Sequence, residues 1–425
     1  MRPILTAEII AVGSELLTPT RIDTNSLFIT KCLAEHGISV RVKTIVGDAR
    51  EDLRAVFCSA LSRSDLVVLS GGLGPTDDDL TREVVAEALG RTMRVDAEIV
   101  ERLRARFARR GLDMPDINLR QAQVPDGAEI VSNANGTAPG LWLEHGDRTI
   151  VLLPGPPREL KPMIEALARE RLVTRAGDTR GLTRMLRIAG QTESHAEQVA
   201  RAFFARWREE GREIETTTLA SPGSIDFHLT VRSRDAASGS ARLDAVIYEL
   251  SVAFGEDAYA TGDESMEQVV GTLLRDRGYT IAAAESCTGG LLTSRLTDVP
   301  GSSSYVRLSI VAYSNQAKTE LLDVPADLIA AHGAVSEPVA LAMAAGIRKR
   351  AGSTIGVGIT GIAGPDGGTP EKPVGTVAIA IDGPWGPHVR TRALLGGREH
   401  IKFWATQAAL DDVRRLVIRE DRHDG

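Results

Sequence analysis

The sequence predicts an α/β protein in three parts: an N-terminal α/β domain, a small α+β module and a C-terminal α/β domain. Three observations predict it. Short apolar runs alternate with amphipathic stretches from residue 8 to about residue 90, the pattern of a sheet covered on both faces. The same alternation returns from Met266 to the C-terminus. Between the two regions, "LVTRAGDTRG" (172–181) and "YATGDESMEQ" (259–268) lose apolar periodicity and read as breaks. A chain of 425 residues also exceeds the roughly 100–200 typical of one domain. The expected boundaries are 1–172, 180–262 and 264–425.

The elements follow in order. "EIIAVG", "SVRVKTIVG" and "DLVVLSGG" read as strands, separated by the helices "TNSLFITKCLAEHG" and "REDLRAVFCSALSR". Thr24 or Asn25 is expected to cap the first helix and Gly37 to end it. "DAEIVERLRARFARRG" is a further helix, whose interleaved acids make its arginines a solvated face rather than a nucleic-acid surface. Residues 182–262 read strand, helix ("SHAEQVARAFFARWREEG"), strand ("SIDFHLTVRS"), helix, with a polar loop over 235–241. In the last part, "TIAAAE", "RLSIVAYS", "TIGVGIT" and "GTVAIAI" are strands, and "REHIKFWATQAALDDVRRLVIRE" closes the chain as a long helix.

Composition excludes several function classes. The net charge is −7 and the sequence pI is near 5.7, so no bulk positive field draws nucleic acid or anionic lipid. Three cysteines (Cys32, Cys58, Cys287) without CxxC or His-paired spacing argue against a disulfide framework or zinc site. The N-terminus reads as a first strand rather than a leader, and no apolar run reaches ~18 residues. A soluble, cytoplasmic protein is expected.

Chemistry concentrates at strand ends, where open α/β sheets bind ligands. "AESCTGG" (284–290) carries Ser286 off the end of one strand into a helix start. Such a turn favours an oxyanion, although Ser, Thr and Gly also serve as ordinary helix-start residues. The next strand ends in "VAYSNQAK", with Tyr313 at its tip and Lys318 in the first turn of a helix. A lysine there sits against the positive end of the helix dipole, and desolvation adds to the lowering of its pKa, as a lysine base requires. Lacking a partner, it is a surface lysine with a snorkelling stem. No histidine lies near Ser286, so the local offer is a Ser–Lys pair with tyrosine assisting. A third strand end, "ITGIAGPDGG", offers Thr360 for hydrogen bonding and Gly361 and Gly364 for close approach of a ligand to backbone. Ser336 and Glu337 in "GAVSEP" fit a helix cap. Arg398 in "GGREH" reads either as a phosphate clamp or as a solvated charge.

In the N-terminal part, "GGLGPTDDDLT" (71–81) follows a strand and leads into a helix. Its glycines can cradle phosphate with backbone amides, and Asp77, Asp78 and Asp79 offer oxygen ligands to a hard divalent cation. Acids at a helix start are also favoured by the dipole alone, and both accounts stay open on these residues.

The run "AESCTGG … GSS … VAYSNQAK … GAVSEP … ITGIAGPDGG … KPVGTV" resembles the C-terminal domain of the CinA (competence/damage-inducible) family. "VGSELL", "DTNS", "VGD", "GGLGPTDDDLT", "NGTAPG" and "LLPGPPREL" resemble its N-terminal domain, a molybdopterin-binding-like three-layer α/β fold. The middle module corresponds to a KH-like α+β segment. It lacks the GXXG loop by which KH domains clamp nucleic acid, since no two glycines between Gly181 and Gly262 are three apart. It therefore reads as a spacer or dimerisation element.

The resemblance implies a nicotinamide mononucleotide deamidase in the C-terminal domain, with Ser286 as nucleophile and Lys318 as base. Tyr313 and Ser303 would orient or relay protons, Thr360, Gly361 and Gly289 would hold substrate, and Arg398 would meet its phosphate. It implies an ADP-ribose pyrophosphatase in the N-terminal domain, with Gly71, Gly72, Gly74 and Thr76 on phosphate. Asp48 and Asp77–Asp79 would bind a divalent metal (Mg, Mn or Co, possibly with K⁺), with Glu15, Asp23 and Asn25 nearby. The deamidase site would need no cofactor. Implied partners are nucleotides and a second copy of the chain, with neither nucleic acid nor membrane. Cys287 is expected to pack rather than react. Four positions depart from the family: Leu308 and Ser309 replace two glycines, Gly397 replaces an aspartate, and Ser14 stands where aspartate is commoner. The rival readings are a nucleotide- or molybdopterin-like-ligand-binding protein with inactive sites, and a competence or DNA-damage partner.

Overall fold

A computed structural model describes residues 2–109, 111–177 and 180–420. They divide into two compact units, residues 1–182 with 230–242, and residues 183–229 with 243–425.

In the first unit, β1 (Thr6–Val12), α1 (Thr24–Ala34), β2 (Ser39–Val46), α2 (Arg50–Arg63) and β3 (Leu66–Ser70) alternate as the hydrophobic pattern predicts. Then come α3 (Thr81–Ala88), β4 (Met93–Val95), α4 (Ala97–Ala108), β5 (Gln123–Pro125), β6 (Glu129–Val131), β7 (Gly140–His145), β8 (Arg148–Leu153), α5 (Pro157–Leu167) and α6 (Val173–Arg175). The main sheet has the order β2-β1-β3-β8-β7-β6. Its first four strands are parallel, while β7 pairs antiparallel with β8 and β6 antiparallel with β7. β3 is buried along its whole length, which is why "LVVLS" is continuously apolar up to Ser70. One apolar core, around Phe57, Val67 and Leu69, lies on one face of the sheet. A second, around Ile9, Leu33 and Ile164, lies on the other. The cap of α1 is Asp23, whose carboxylate accepts from Ser26 N at 3.0 Å, rather than Thr24 or Asn25. Carboxylates compete well for that position because they also meet the helix dipole.

The expected break at 172–181 is helical through Arg175, and Ala176 bridges back to Ile4; residues 178 and 179 lie outside the described set. Next come β9 (Arg180–Ile188), α7 (Glu193–Glu209), β10 (Ile214–Ser221), β11 (Ser224–Ser233), α8 (Ala236–Phe254) and β12 (Ala258–Ala260). They supply a four-stranded sheet of order β10-β11-β9-β12. Three features differ from the sequence expectation. β10 and β12 are added strands, β12 running into the expected break at 259–268, and the expected polar loop over 235–241 is the first turn of α8. Asp235 explains the last difference, because its carboxylate accepts from Ala237 N and Ser238 N and starts the helix directly after β11.

The second unit continues with α9 (Met266–Asp276), β13 (Ile281–Glu285), α10 (Leu291–Thr297), β14 (Val306–Val311), α11 (Asn315–Leu322) and α12 (Ala326–His332). It closes with α13 (Glu337–Ala351), β15 (Ile355–Gly361), β16 (Thr376–Gly383), β17 (Gly386–Ala393) and α14 (Arg398–Glu420). A Ser265–Gln268 capping box starts α9. The sheet order is β14-β13-β15-β16-β17, with β13 an inner strand parallel to both neighbours. β17, which the sequence reading left unassigned, pairs antiparallel with β16 along its length. Among the described residues no helix is long and apolar enough to cross a membrane.

Candidate active site

Parallel pairing puts the carboxyl ends of β13, β14 and β15 side by side. Ser286 N continues the ladder by donating to Ile359 O at 2.9 Å, and Ala312 N donates to Glu285 O at 2.8 Å. The turn after β13 is pinned from beneath by Glu285, which is fully buried. Its carboxylate accepts from Gly290 N, Leu292 N, Thr293 N and the Thr293 hydroxyl, at 2.8–3.0 Å. Gly289 and Gly290 have φ of +63° and +92°, left-handed backbone that a side chain would strain.

After β14 the chain turns at Ser314, whose hydroxyl accepts from Ala317 N at 3.0 Å and starts α11. The first turn of that helix directs Lys318 inward, where the side chain is 1% exposed. Its Nζ lies 3.1 Å from Ser286 Oγ and 2.9 Å from Ala312 O. Burial holds this ammonium below the ordinary lysine range. A neutral amine here keeps an N–H for Ala312 O and turns its lone pair on the Ser286 proton. Cys287 is also buried, and burial pushes its thiol up to about 11, so it is protonated at neutral pH.

Arg398 opens α14. It donates from Nη1 to Gly364 O at 2.7 Å and from Nη2 to Tyr313 Oη at 3.1 Å. Because the tyrosine oxygen accepts from arginine, its own O–H is left for another acceptor.

The first unit carries a cleft of about 400 Å³ at the carboxyl ends of its parallel strands. Glu15, Asp48, Gly71, Gly72, Gly74, Asp78, Asp79, Gly155 and Glu159 contribute to its wall. Gly71 and Gly72 have φ of +105° and +65°, and a Cβ on either would collide with Val12 O or Thr81 Oγ1. The loop is locked internally: Asp79 accepts from Gly74 N at 2.7 Å, Thr76 N at 2.9 Å and the Thr76 hydroxyl. Buried Arg82 donates to Leu73 O and Gly74 O.

Comparison with known proteins matches the C-terminal part. Residues 263–417 match the family described as CinA C-terminal domain, and residues 8–174 match the one described as "probable molybdopterin binding domain". A CinA-like protein of Koribacter versatilis is 48% identical over 97% of this chain and 100% of its own. The chain belongs to the CinA family. A CinA-like protein of Solibacter usitatus is 43% identical, covering 97% of this chain and 98% of its own. A crystal structure of CinA from Thermoplasma acidophilum is 35% identical, covering 39% of this chain and 98% of that one, with a TM-score of 0.37.

Of the residues that the CinA resemblance singled out, Ser286, Lys318, Tyr313, Arg398 and Gly289 gather at one end of the C-terminal sheet. Ser303 does not. It lies in the turn before β14, whose first residue pairs with Ile281 at the start of β13, so it is at the opposite end of the sheet from Ser286. Chain order already pointed there, since Ser303 precedes the expected strand "RLSIVAYS"; its site role came from the motif resemblance alone. Thr360 is buried, and its hydroxyl donates to Ala334 O at 2.8 Å, tying β15 to the "GAVSEP" turn. Gly361 answers the close approach of β16, since a Cβ there would lie 2.9 Å from Thr376 O. Ser336 stands at the start of α13 without a side-chain cap; its hydroxyl donates back to Gly333 O.

In the CinA N-terminal domain, Asp77–Asp79 do not form one cation-binding run. Asp77 is fully exposed and paired with Arg120 at 2.8 Å, whereas Asp79 organises the loop. Among the described residues no three His, Cys, Asp or Glu side chains converge as a metal cage. The expected phosphate cradle is also partly consumed, because Gly71 N donates to Leu153 O and the Gly74 and Thr76 amides donate to Asp79. Asp48 accepts from Ser14 N and its own amide donates to the Ser14 hydroxyl, so serine fills the departed position as a strand-end tie. Asn25 donates to Gly155 O. Two residues escaped sequence reasoning: Glu159, 8% exposed and lining the cleft, and Lys402, whose ammonium faces Gly289. Glu159 was within the quoted "LLPGPPREL"; Lys402 had no signal beyond a cation one turn after Arg398.

Proposed function

We propose that the C-terminal domain is an amidohydrolase converting nicotinamide mononucleotide and water to nicotinic acid mononucleotide and ammonia. The single observation that carries this reading is the buried Lys318 amine 3.1 Å from Ser286 Oγ. Neutral Lys318 accepts the Ser286 proton as Oγ bonds to the carboxamide carbon. The proton passes to the leaving nitrogen, ammonia departs, and an acyl-serine ester remains. Water, deprotonated by the same amine, breaks that ester, and Ser286 recovers its proton. The Tyr313 hydroxyl, oriented by Arg398, is the O–H available to the reacting carbonyl or leaving group. Ammonia release by the purified chain, lost in Ser286→Ala, tests the proposal.

The N-terminal cleft, on this proposal, hydrolyses ADP-ribose at its diphosphate. Hard divalent cations are commonly held by one or two carboxylates together with substrate phosphates, so a cleft without a three-residue cage still fits. Glu15 and Asp78 would hold such an ion, which would neutralise diphosphate charge. AMP release from ADP-ribose tests this half.

A further inference from the structure

Cations face the Ser286 turn, and the acid on the turn itself is fully engaged. Lys318 Nζ lies 3.1 Å from Ser286 Oγ, and Arg398 bonds Tyr313 Oη and Gly364 O just past the ends of the neighbouring strands. The acid on that turn, Glu285, is fully buried and already accepts four hydrogen bonds. A third cation faces the same turn. A Cβ built on Gly289 would have Lys402 Nζ as its nearest neighbour, at 3.6 Å, with no other atom within 4 Å. Lys402 and Arg398 are four residues apart on α14, so they share a face of the helix. Between and beyond them, Ile401 and Ala405 are buried in the core, which fixes how that face is turned.

The two cations differ in what they are free to do. Both terminal nitrogens of Arg398 are engaged, with Gly364 O and Tyr313 Oη. Lys402 has neither a hydrogen-bond acceptor nor an ion-pair partner among the described residues. An unpaired, half-buried ammonium beside left-handed glycine backbone is the local chemistry of an anion site.

We propose that Lys402, rather than Arg398, receives the substrate's phosphomonoester, and that Arg398 is a positioning residue for Tyr313. This deepens the amidohydrolase reading and rests on it for the identity of the reacting group. It makes the site selective for a phosphorylated amide over the corresponding nucleoside. A charge-assisted contact of this kind is worth about tenfold to a hundredfold in binding.

The test is steady-state kinetics of full-length wild type, Lys402→Gln and Lys402→Arg on nicotinamide mononucleotide and its dephosphorylated riboside. It is paired with calorimetric titration of ribose 5-phosphate into each protein. Lys402→Gln is expected to raise KM for the mononucleotide about tenfold or more, with kcat within about twofold, and to leave the riboside's kcat/KM unchanged. Lys402→Arg, which keeps the charge, is expected to restore most of the loss. Ribose 5-phosphate should bind wild type and not the glutamine variant. An unchanged KM, or a fall in kcat alone, overturns the assignment. If wild type deamidates neither substrate, the amidohydrolase reading fails separately. The titration then decides the phosphate site by itself, and equal binding to wild type and Lys402→Gln refutes it.

Discussion

Lys318 Nζ stands 3.1 Å from Ser286 Oγ although the two residues are 32 apart in sequence. The parallel pairing of β13 with β14 makes the meeting, since it brings "SCTGG" and "YSNQAK" to one sheet end. The adjacent Cys287 is the competing nucleophile, and burial keeps it a thiol. Ser286→Ala should therefore lower deamidation by more than about a thousandfold, while Cys287→Ala stays within about threefold of wild type. Ammonia release measures both, and the reverse ranking would overturn the assignment.

The base predicts a pH profile. Lys318 must be neutral to accept the serine proton, so kcat/KM should rise with pH. Its midpoint should lie below the ordinary lysine value of about 10.4, because burial disfavours the ammonium. Lys318→Arg stays charged throughout and should be about as inactive as Lys318→Met.

The same shift has a stability signature. A lysine with a depressed folded pKa binds fewer protons folded than unfolded, so its cost to the fold is largest below that folded pKa. The cost shrinks as pH rises from there towards about 10.4. Lys318→Met should thus melt higher than wild type at neutral pH, with the gap narrowing in alkaline buffer. A gap that widens with pH in thermal melts would contradict the direction of the shift.

Ser303 gives a prediction at odds with the family resemblance. From the far end of the sheet it cannot touch the atoms that react at Ser286 in the same chain. Ser303→Ala should leave kcat and KM within about twofold. A large loss in kcat with intact folding would place this hydroxyl in the site of a second copy of the chain.

What the sequence made legible follows from what each signal encodes. Ser286 and Lys318 were readable because strand ends are visible as the last residue of an apolar run, and parallel sheets align those ends. Ser303 was grouped with the site by motif resemblance, although its place ahead of the strand "RLSIVAYS" put it at the amino end, away from Ser286. Asp77–Asp79 read as a unit by adjacency, yet a tight loop fans successive side chains apart, one to Arg120 and another into the loop's own amides. The 235–241 stretch looked like a loop by its Ser and Gly content, and one capping aspartate outweighed that composition. Lys402 was invisible because a lone lysine on an amphipathic helix has no pattern of its own.

Arg398 and Tyr313 should behave as one device. If Arg398 acts only by holding the Tyr313 hydroxyl, Arg398→Ala and Tyr313→Phe each lower kcat by about tenfold or more. Their double variant should then be little worse than either single, giving a coupling energy of about 0.5–3 kcal/mol in a double-mutant cycle. Strict additivity would mean that Arg398 meets the substrate directly.

The two domains should differ in their need for metal. Cleavage of a diphosphate requires its charge to be neutralised, and the N-terminal cleft presents carboxylates, whereas the Ser286 site presents three cations and a fully engaged glutamate. A chelator should stop AMP release from ADP-ribose and spare ammonia release from nicotinamide mononucleotide. Within the cleft the structure separates two kinds of acid. Glu15→Gln should weaken metal dependence in a way that raised metal partly restores, because it removes one ligand. Asp79→Ala should abolish AMP release at every metal concentration, because it frees the Gly74 and Thr76 amides and lets the loop go. Rescue of Asp79→Ala by metal would make Asp79 a ligand after all. Loss of both reactions on chelation, in protein shown to be folded by circular dichroism, would mean that the deamidase site also needs a metal.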